Sequence, residues 1–212
     1  MKLPKPINKV EEKIIKDKEF LTAIKLGRPR AGHSEGTVGI HVIHIINYID
    51  KNYKNKEYYK DLRIIALLHD IGKFAFLEER RDEYLPKLSE NESKKMISEC
   101  RKFKKKYYLQ RSIPKNMRKY NLTTKHAYAS YQFAKKFLQN KKILELIRYH
   151  DLAQDMKWEY DKTKTYDTKI FKKIFTNINL KVYVKFLECD NCNRIDNTSE
   201  WLKKQLKSHK LL

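Results

Sequence analysis

Little in this chain is able to interrupt a helix. It has five glycines and five prolines in 212 residues. Few segments alternate apolar and polar residues with the period of two that a half-buried strand requires, which leaves an all-α chain. Three cysteines, an odd number, provide no disulfide framework and point to a reducing cytoplasm. No run approaches the roughly 18 apolar residues that cross a bilayer. The amino-terminal MKLPKPINKV carries lysines and prolines without an apolar stretch, so it does not read as a secretory signal. Acidic residues are scarce as well, 26 Asp and Glu against 48 Lys and Arg, for a net charge of +22.

What is present is a helical apolar pattern and a surplus of lysine. The apolar share of 41% suits a globular domain with a core of its own. Ten of the basic residues are Arg and 38 are Lys, alongside abundant Ile, Asn and Tyr. That is the lean of an AT-rich genome, so a solvated surface and an anionic partner both remain open. The charge is uneven: Lys87 to Lys125 holds 13 Lys or Arg and 3 Glu, a net +10. Such a field raises the local concentration of a nucleotide or nucleic acid in a salt-dependent way. The stretch 101–108 interleaves aromatics with charge, either as a nucleic-acid surface or with Phe103 and Tyr107, four apart, packed inward.

Apolar spacing at three and four predicts helices over 8–26, 36–51, 56–71, 88–110, 121–139, 141–152, 168–178, 179–193 and 197–209. GRPRAGHSEG (27–36), with three glycines and a proline, predicts a loop, and 160–168 a polar connector. There is no internal repeat. The reading is one domain over 1–212, with 1–26 an N-terminal helical extension and 74–120 a basic flap.

The histidines carry the chemistry. In LRIIALLHDIGK (62–73), Leu62, Ile65, Ala66 and His69 share one helical face, so His69 continues a buried stripe and Asp70 stands beside it. Ile143, Leu146, Ile147 and His150 repeat the device, as do Tyr183, Phe186, Leu187 and Asp190. His126 leads Ala129, Ser130 and Phe133, and His41 lies between Val38 and Ile45. Any one of these is explained by a core or surface histidine. Six convergent groups satisfy one another most simply by sharing cations, because buried ionisable groups need partners. Imidazole with carboxylate suits transition metals better than Ca. Cys189-Asp-Asn-Cys192 has CxxC spacing, but with Cys100 the only other cysteine it lacks the ligands of a zinc site.

The order His41, His69-Asp70, His126, His150, Asp190 resembles the HD superfamily of metal-dependent phosphohydrolases, and LLHDIGK resembles the central motif of many bacterial members. IRYHD (147–151) followed by KFLECDN (185–191) is similar to the helical HD region of some nucleotidyltransferases that mature transfer RNA. GRPRAGHSEGTVGIHV (27–42) resembles small standalone HD proteins. The resemblance spans about residues 27–205 and implies an HD-type helical bundle with a metal centre between its core helices. It implies one metal on His41, His69, Asp70 and Asp190, and a second on His126 and His150 with Asp70 bridging. His44 competes with His41; Ile45, four residues on, favours His41. The metals would be Mn, Fe, Co, Ni or Zn, with Mg also open.

The implied reaction is hydrolysis of a phosphate ester, of a nucleotide or nucleic acid, by a metal-activated hydroxide. Asp70 and Lys73 would be catalytic. Lys73 binds a phosphate oxygen, protonates the leaving group, or forms a surface salt bridge. Arg28, Arg30 and His33 would touch substrate, the arginines forming a fork on phosphate or fixing the glycine loop. Two other classes share the pattern: a mixed-valent di-iron oxygenase of the same fold, and a metal-stabilised nucleic-acid-binding module.

Overall fold

Short polar side chains start most of the helices. In the computed structural model, which describes residues 2–29, 34–108, 123–192 and 197–212, Asn8 and Asp17 accept backbone N–H bonds that open α1 (Lys9–Lys16) and α2 (Lys18–Ala23). Thr37 opens α3 (Val38–Tyr53) in the same way. A reciprocal Ser89–Glu92 capping box opens α6 (Glu90–Tyr107), after α4 (Tyr59–Leu68) and the single turn α5 (Arg81–Tyr84). Beyond α7 (Tyr128–Ala134), Asn140 starts α8 (Lys141–Arg148). α9 (Leu152–Thr163) follows directly. Asp167 and Asn179 then start α10 (Thr168–Phe175) and α11 (Leu180–Asp190), and α12 (Thr198–Ser208) ends the order. These oxygens satisfy amide groups that the first helical turn leaves without partners. No strand occurs among the described residues.

Several boundaries differ from the expected ones. The helix expected over 8–26 breaks at Asp17, whose extended backbone (φ −72°, ψ 128°) frees its carboxylate to cap α2. The helix expected over 56–71 stops at Leu68, and a 3-10 turn over Ile71–Phe76 follows. The helix expected over 121–139 begins as a π-helical turn, Thr123–Ala127. Periodicity missed α9 because it buries only Leu152, Ala153 and Met156, and Trp158 on it is 64% exposed.

α4 is the centre of the molecule. Every residue from Leu62 to Leu68 is buried, as a helix enclosed on all sides requires, and α1, α3, α7, α8 and α11 all pack on it. Arg63 alone among these is charged. It is 1% exposed and pairs with the equally buried Glu11 of α1, with Asp50 of α3 and with the carbonyl oxygen of Lys5. This clamp, with Ile14 and Phe20 at 0% exposure, makes α1 and α2 part of the core.

The described part of the segment expected as a flap is packed too. Phe74 meets Phe103 and Tyr107 of α6, and Tyr107 meets Phe133 of α7. Several cations of α6 have carboxylate partners: Arg101 with Glu78, Lys104 with Glu79 and Lys106 with Glu19. These pairs offset part of the positive charge seen in the sequence. Among the described residues, no helix is long and apolar enough to cross a membrane.

Candidate metal centre

The buried centre is assembled largely from helix ends. α4 stops at Leu68, so His69 caps it, and the His69 ring places Nδ1 3.0 Å from the carbonyl oxygen of Ala66. A carbonyl only accepts, so Nδ1 carries the proton and the Nε2 lone pair faces inward. His150 does the same beyond α8, with Nδ1 2.8 Å from the carbonyl oxygen of Ile147. His41 comes from the first turn of α3, Asp190 from the last residue of α11, and His126 from the π-helical turn. π-turns recur at functional sites because they re-aim a side chain without ending the helix. Tyr183 of α11, itself fully buried, donates to the carbonyl oxygen of Tyr149 at 2.7 Å and accepts from the Ala153 amide at 3.3 Å. That fixes the turn carrying His150.

All six residues expected as ligands converge. They divide into two groups that share Asp70: His41 and His69 on one side, His126 and His150 on the other. Asp70 Oδ2 lies 3.6 Å from His69 Nε2 and 3.9 Å from His41 Nε2. Its Oδ1 lies 3.3 Å from His126 Nε2 and 3.7 Å from His150 Nε2. Asp190 Oδ1 closes the first group at 2.9 Å from His41 Nε2 and 3.3 Å from His69 Nε2. The six residues are between 1% and 8% exposed, so most of their polar surface is withdrawn from bulk water. His44, the competitor of His41, is half-buried and belongs to neither group.

The donor set fits a transition metal. Among the described residues, buried His69 Nε2 has no hydrogen-bond partner, and an unmet lone pair in the interior costs free energy. The Nε2 atoms of His126 and His150 stand 3.2 Å apart. Two imidazole lone pairs at that distance repel unless a proton or a cation lies between them. Ligands about 2.0–2.1 Å from one ion stand roughly 3.0–3.4 Å from each other, the edge of an octahedron or tetrahedron, and several of these separations fall there. Imidazole with carboxylate suits a divalent transition metal better than Ca.

Without a metal the charges are balanced by protons. Burial alone would depress His41, but the carboxylates of Asp190 and Glu35 hold it at about 9. Burial likewise opposes the charged form of His126, yet Asp151 and Asp70 hold it at about 9, and His150 is raised for the same reason. Asp70 and Asp190 lie well below the usual carboxylate range: against the burial penalty, Lys73 and His69 act on the first, and His41 and His69 on the second.

Lys73 is not on the surface. It is 8% exposed and pairs with Asp70 Oδ2. Burial works against its charge, but the Asp70 carboxylate outweighs it and raises the Lys73 pKa.

Two carboxylates at the centre were not picked out from the sequence. Glu35 Oε1 lies 3.3 Å from His41 Nδ1 and directs His41 Nε2 inward. Asp151 Oδ2 lies 3.1 Å from His126 Nε2, and its Oδ1 3.4 Å from His150 Nε2. The signal for Asp151 was a second His-Asp dipeptide, His150-Asp151; nothing local marked Glu35. A cleft of about 210 Å³, its open mouth included, reaches His41 and Lys73 between the glycine loop and Tyr84. Gly27 holds the loop closed there: its φ is +114°, and a Cβ would stand 2.4 Å from the carbonyl oxygen of Gly36.

Of the expected substrate contacts, Arg28 directs its guanidinium to the carbonyl oxygens of Leu85 and Pro86. Arg30 and His33 lie outside the described residues.

One comparison with known proteins finds a match. A family model described as HD domain matches residues 38–175, which take in five of the six expected ligands, all but Asp190. No curated protein and no solved structure matches.

Proposed function

The chain belongs to the HD-domain family, and from that footing we propose that it hydrolyses a phosphate ester at a two-metal centre. The observation that carries the proposal is Asp70, whose two oxygens face two separate pairs of imidazoles, as a bridging ligand requires. Bound divalent metals would supply Lewis acidity, lowering the pKa of water and drawing charge off phosphoryl oxygens.

The residues of the chain have distinct roles in this reading. His41, His69 and Asp190 hold the first position, His126 and His150 the second, and Asp70 couples them. The carbonyls of Ala66 and Ile147 and the carboxylate of Glu35 keep the imidazoles of His69, His150 and His41 turned inward. Lys73, buried and paired with Asp70 Oδ2, is placed to hold an anionic substrate oxygen beside Asp70. The proposed substrates are nucleotides or nucleic-acid phosphate esters, which the net charge of +22 would draw toward the protein.

The test is a panel of phosphomonoesters and phosphodiesters offered to the purified protein with Mn, Fe, Co, Ni or Mg. Metal-dependent turnover without oxygen is expected. Strict dependence on oxygen with iron bound would replace the hydrolase by the oxygenase, and tight RNA or DNA binding without turnover would favour the binding module.

A further inference from the structure

The second His-Asp dipeptide repeats the backbone of the first. His69 and His150 both follow the last turn of a helix, α4 and α8, and both direct Nδ1 to the carbonyl oxygen three residues back. Asp70 and Asp151 then take nearly the same conformation, φ −103°, ψ 0° and φ −88°, ψ −8°. This sparsely populated bridge region recurs among active-site residues. Both stand at the N-cap of the element that follows, and neither side chain makes a capping hydrogen bond. Asp17 and Asp167, at the N-caps of α2 and α10, do make one. An Asp cap contributes about 1 kcal/mol, so a carboxylate that forgoes the cap has a competing attraction.

For Asp151 that attraction is the pair of imidazoles. Its two oxygens lie 3.1 Å from His126 Nε2 and 3.4 Å from His150 Nε2, and those two nitrogens are 3.2 Å apart. Each oxygen thus faces one of the two nitrogens, and all three separations are close to the spacing of ligands around a single ion at about 2.0–2.1 Å. Asp70 Oδ1 stands on the same two nitrogens at 3.3 Å and 3.7 Å. We propose that Asp151 is a metal ligand, completing a second site of His126, His150, Asp151 and the shared Asp70. The inference rests on the two-metal reading above. The two sites then have the same donor set, two imidazoles and one carboxylate of their own with Asp70 between them. Asp151 plays in the second the part Asp190 plays in the first. With its side chain 21% exposed against 8% for Asp190, Asp151 is the carboxylate nearer solvent.

Cobalt(II) titration of the full chain, by calorimetry and by elemental analysis after desalting, tests the assignment. The wild type should bind two ions per chain. Asp151→Ala and Asp151→Asn should bind one, with affinity for the second weakened at least about 100-fold, more than the loss of an outer-shell partner brings. Asp151→Glu should restore the second. In His41→Ala/Asp151→Ala both sites should fail. Circular dichroism of the metal-free variants checks folding, and if Asp151→Ala does not fold, the near-isosteric Asp151→Asn decides. Two ions in Asp151→Asn with affinities within about threefold of wild type would overturn the assignment and leave the two-metal centre standing. One ion in the wild type would also overturn it, while a wild type that binds none would remove the proposed function as well.

Discussion

Gly72→Ala probes a close approach of backbone to backbone. Gly72 follows the His69-Asp70 pair by two residues, and its amide donates to Ser130 Oγ at 2.8 Å. A Cβ at this position would stand 2.0 Å from the carbonyl oxygen of His126 and 2.5 Å from the Ser130 nitrogen. Both are backbone atoms and neither can swing aside. Ordinary contact needs about 3.5 Å, so the 3-10 turn and the helix behind His126 must part by more than an ångström. Overpacking of this kind costs about 1–3 kcal/mol, and stretching the Ser130 bond about 1 more. The stiffer unfolded chain returns up to about 1. With two backbone atoms in the way the overpacking cost falls at the upper end of that range, and a net loss near 3 kcal/mol lowers Tm by about 6–12 °C in a chain of this size. Because the displaced element carries His126, the second metal should weaken with it. The assay is thermal unfolding followed by circular dichroism, with cobalt titration on the same samples. Ser130→Ala is the control: it leaves the Gly72 amide unmet, for about 1–2 kcal/mol, without pushing His126. If Gly72→Ala lowered Tm no further than Ser130→Ala and kept full metal content, the steric argument would be wrong.

Asp70→Asn should abolish turnover of any phosphate ester the wild type cleaves, by about a thousandfold or more, and cut metal content below one ion per chain. Lys73 loses its counter-ion in that variant, so rates should be compared where both proteins are folded. Arg63→Met should destabilise by about 3–5 kcal/mol, because Glu11 is left buried and unpaired; Arg63→Met/Glu11→Leu should recover most of it in urea titrations, and failure to recover would sink the clamp. His41 and His126 titrate at about 9 in the metal-free protein, above their ordinary 6.5. Their contribution to metal-free stability is therefore complete below pH 6.5 and lost as pH rises through about 9. Metal needs the unprotonated rings, so the Tm gain from added cobalt should widen from pH 6 to pH 9; a gain that shrinks across that window would contradict the assignment.

The sequence by itself determined the helical class, because scarce glycine and proline with a three-and-four apolar period permit little else. It also placed His41, His69, His126, His150 and Asp190 on apolar helical faces that turn toward the core, with Asp70 beside His69; their role as metal ligands is what the resemblance to the HD superfamily implies. The His-Asp pair could be placed because seven consecutive buried residues of α4, Leu62 to Leu68, lead straight into it. Tertiary structure decided the rest. Whether Asp17 ends a helix or lies within one depends on where α2 packs, and local propensity is indifferent. α9 is held by three buried side chains, too few to show as a period. Glu35 is brought to His41 only by the closure of the glycine loop on α5, through the Gly27 amide to the Tyr84 carbonyl oxygen and the Arg28 amide to that of Glu83. Lys73 reads as a surface residue in a lysine-rich chain, and becomes a buried cation only because the glycine loop and α5 enclose it. A one-dimensional pattern reports which face of a helix is apolar; which charged groups meet across the helices is fixed by packing.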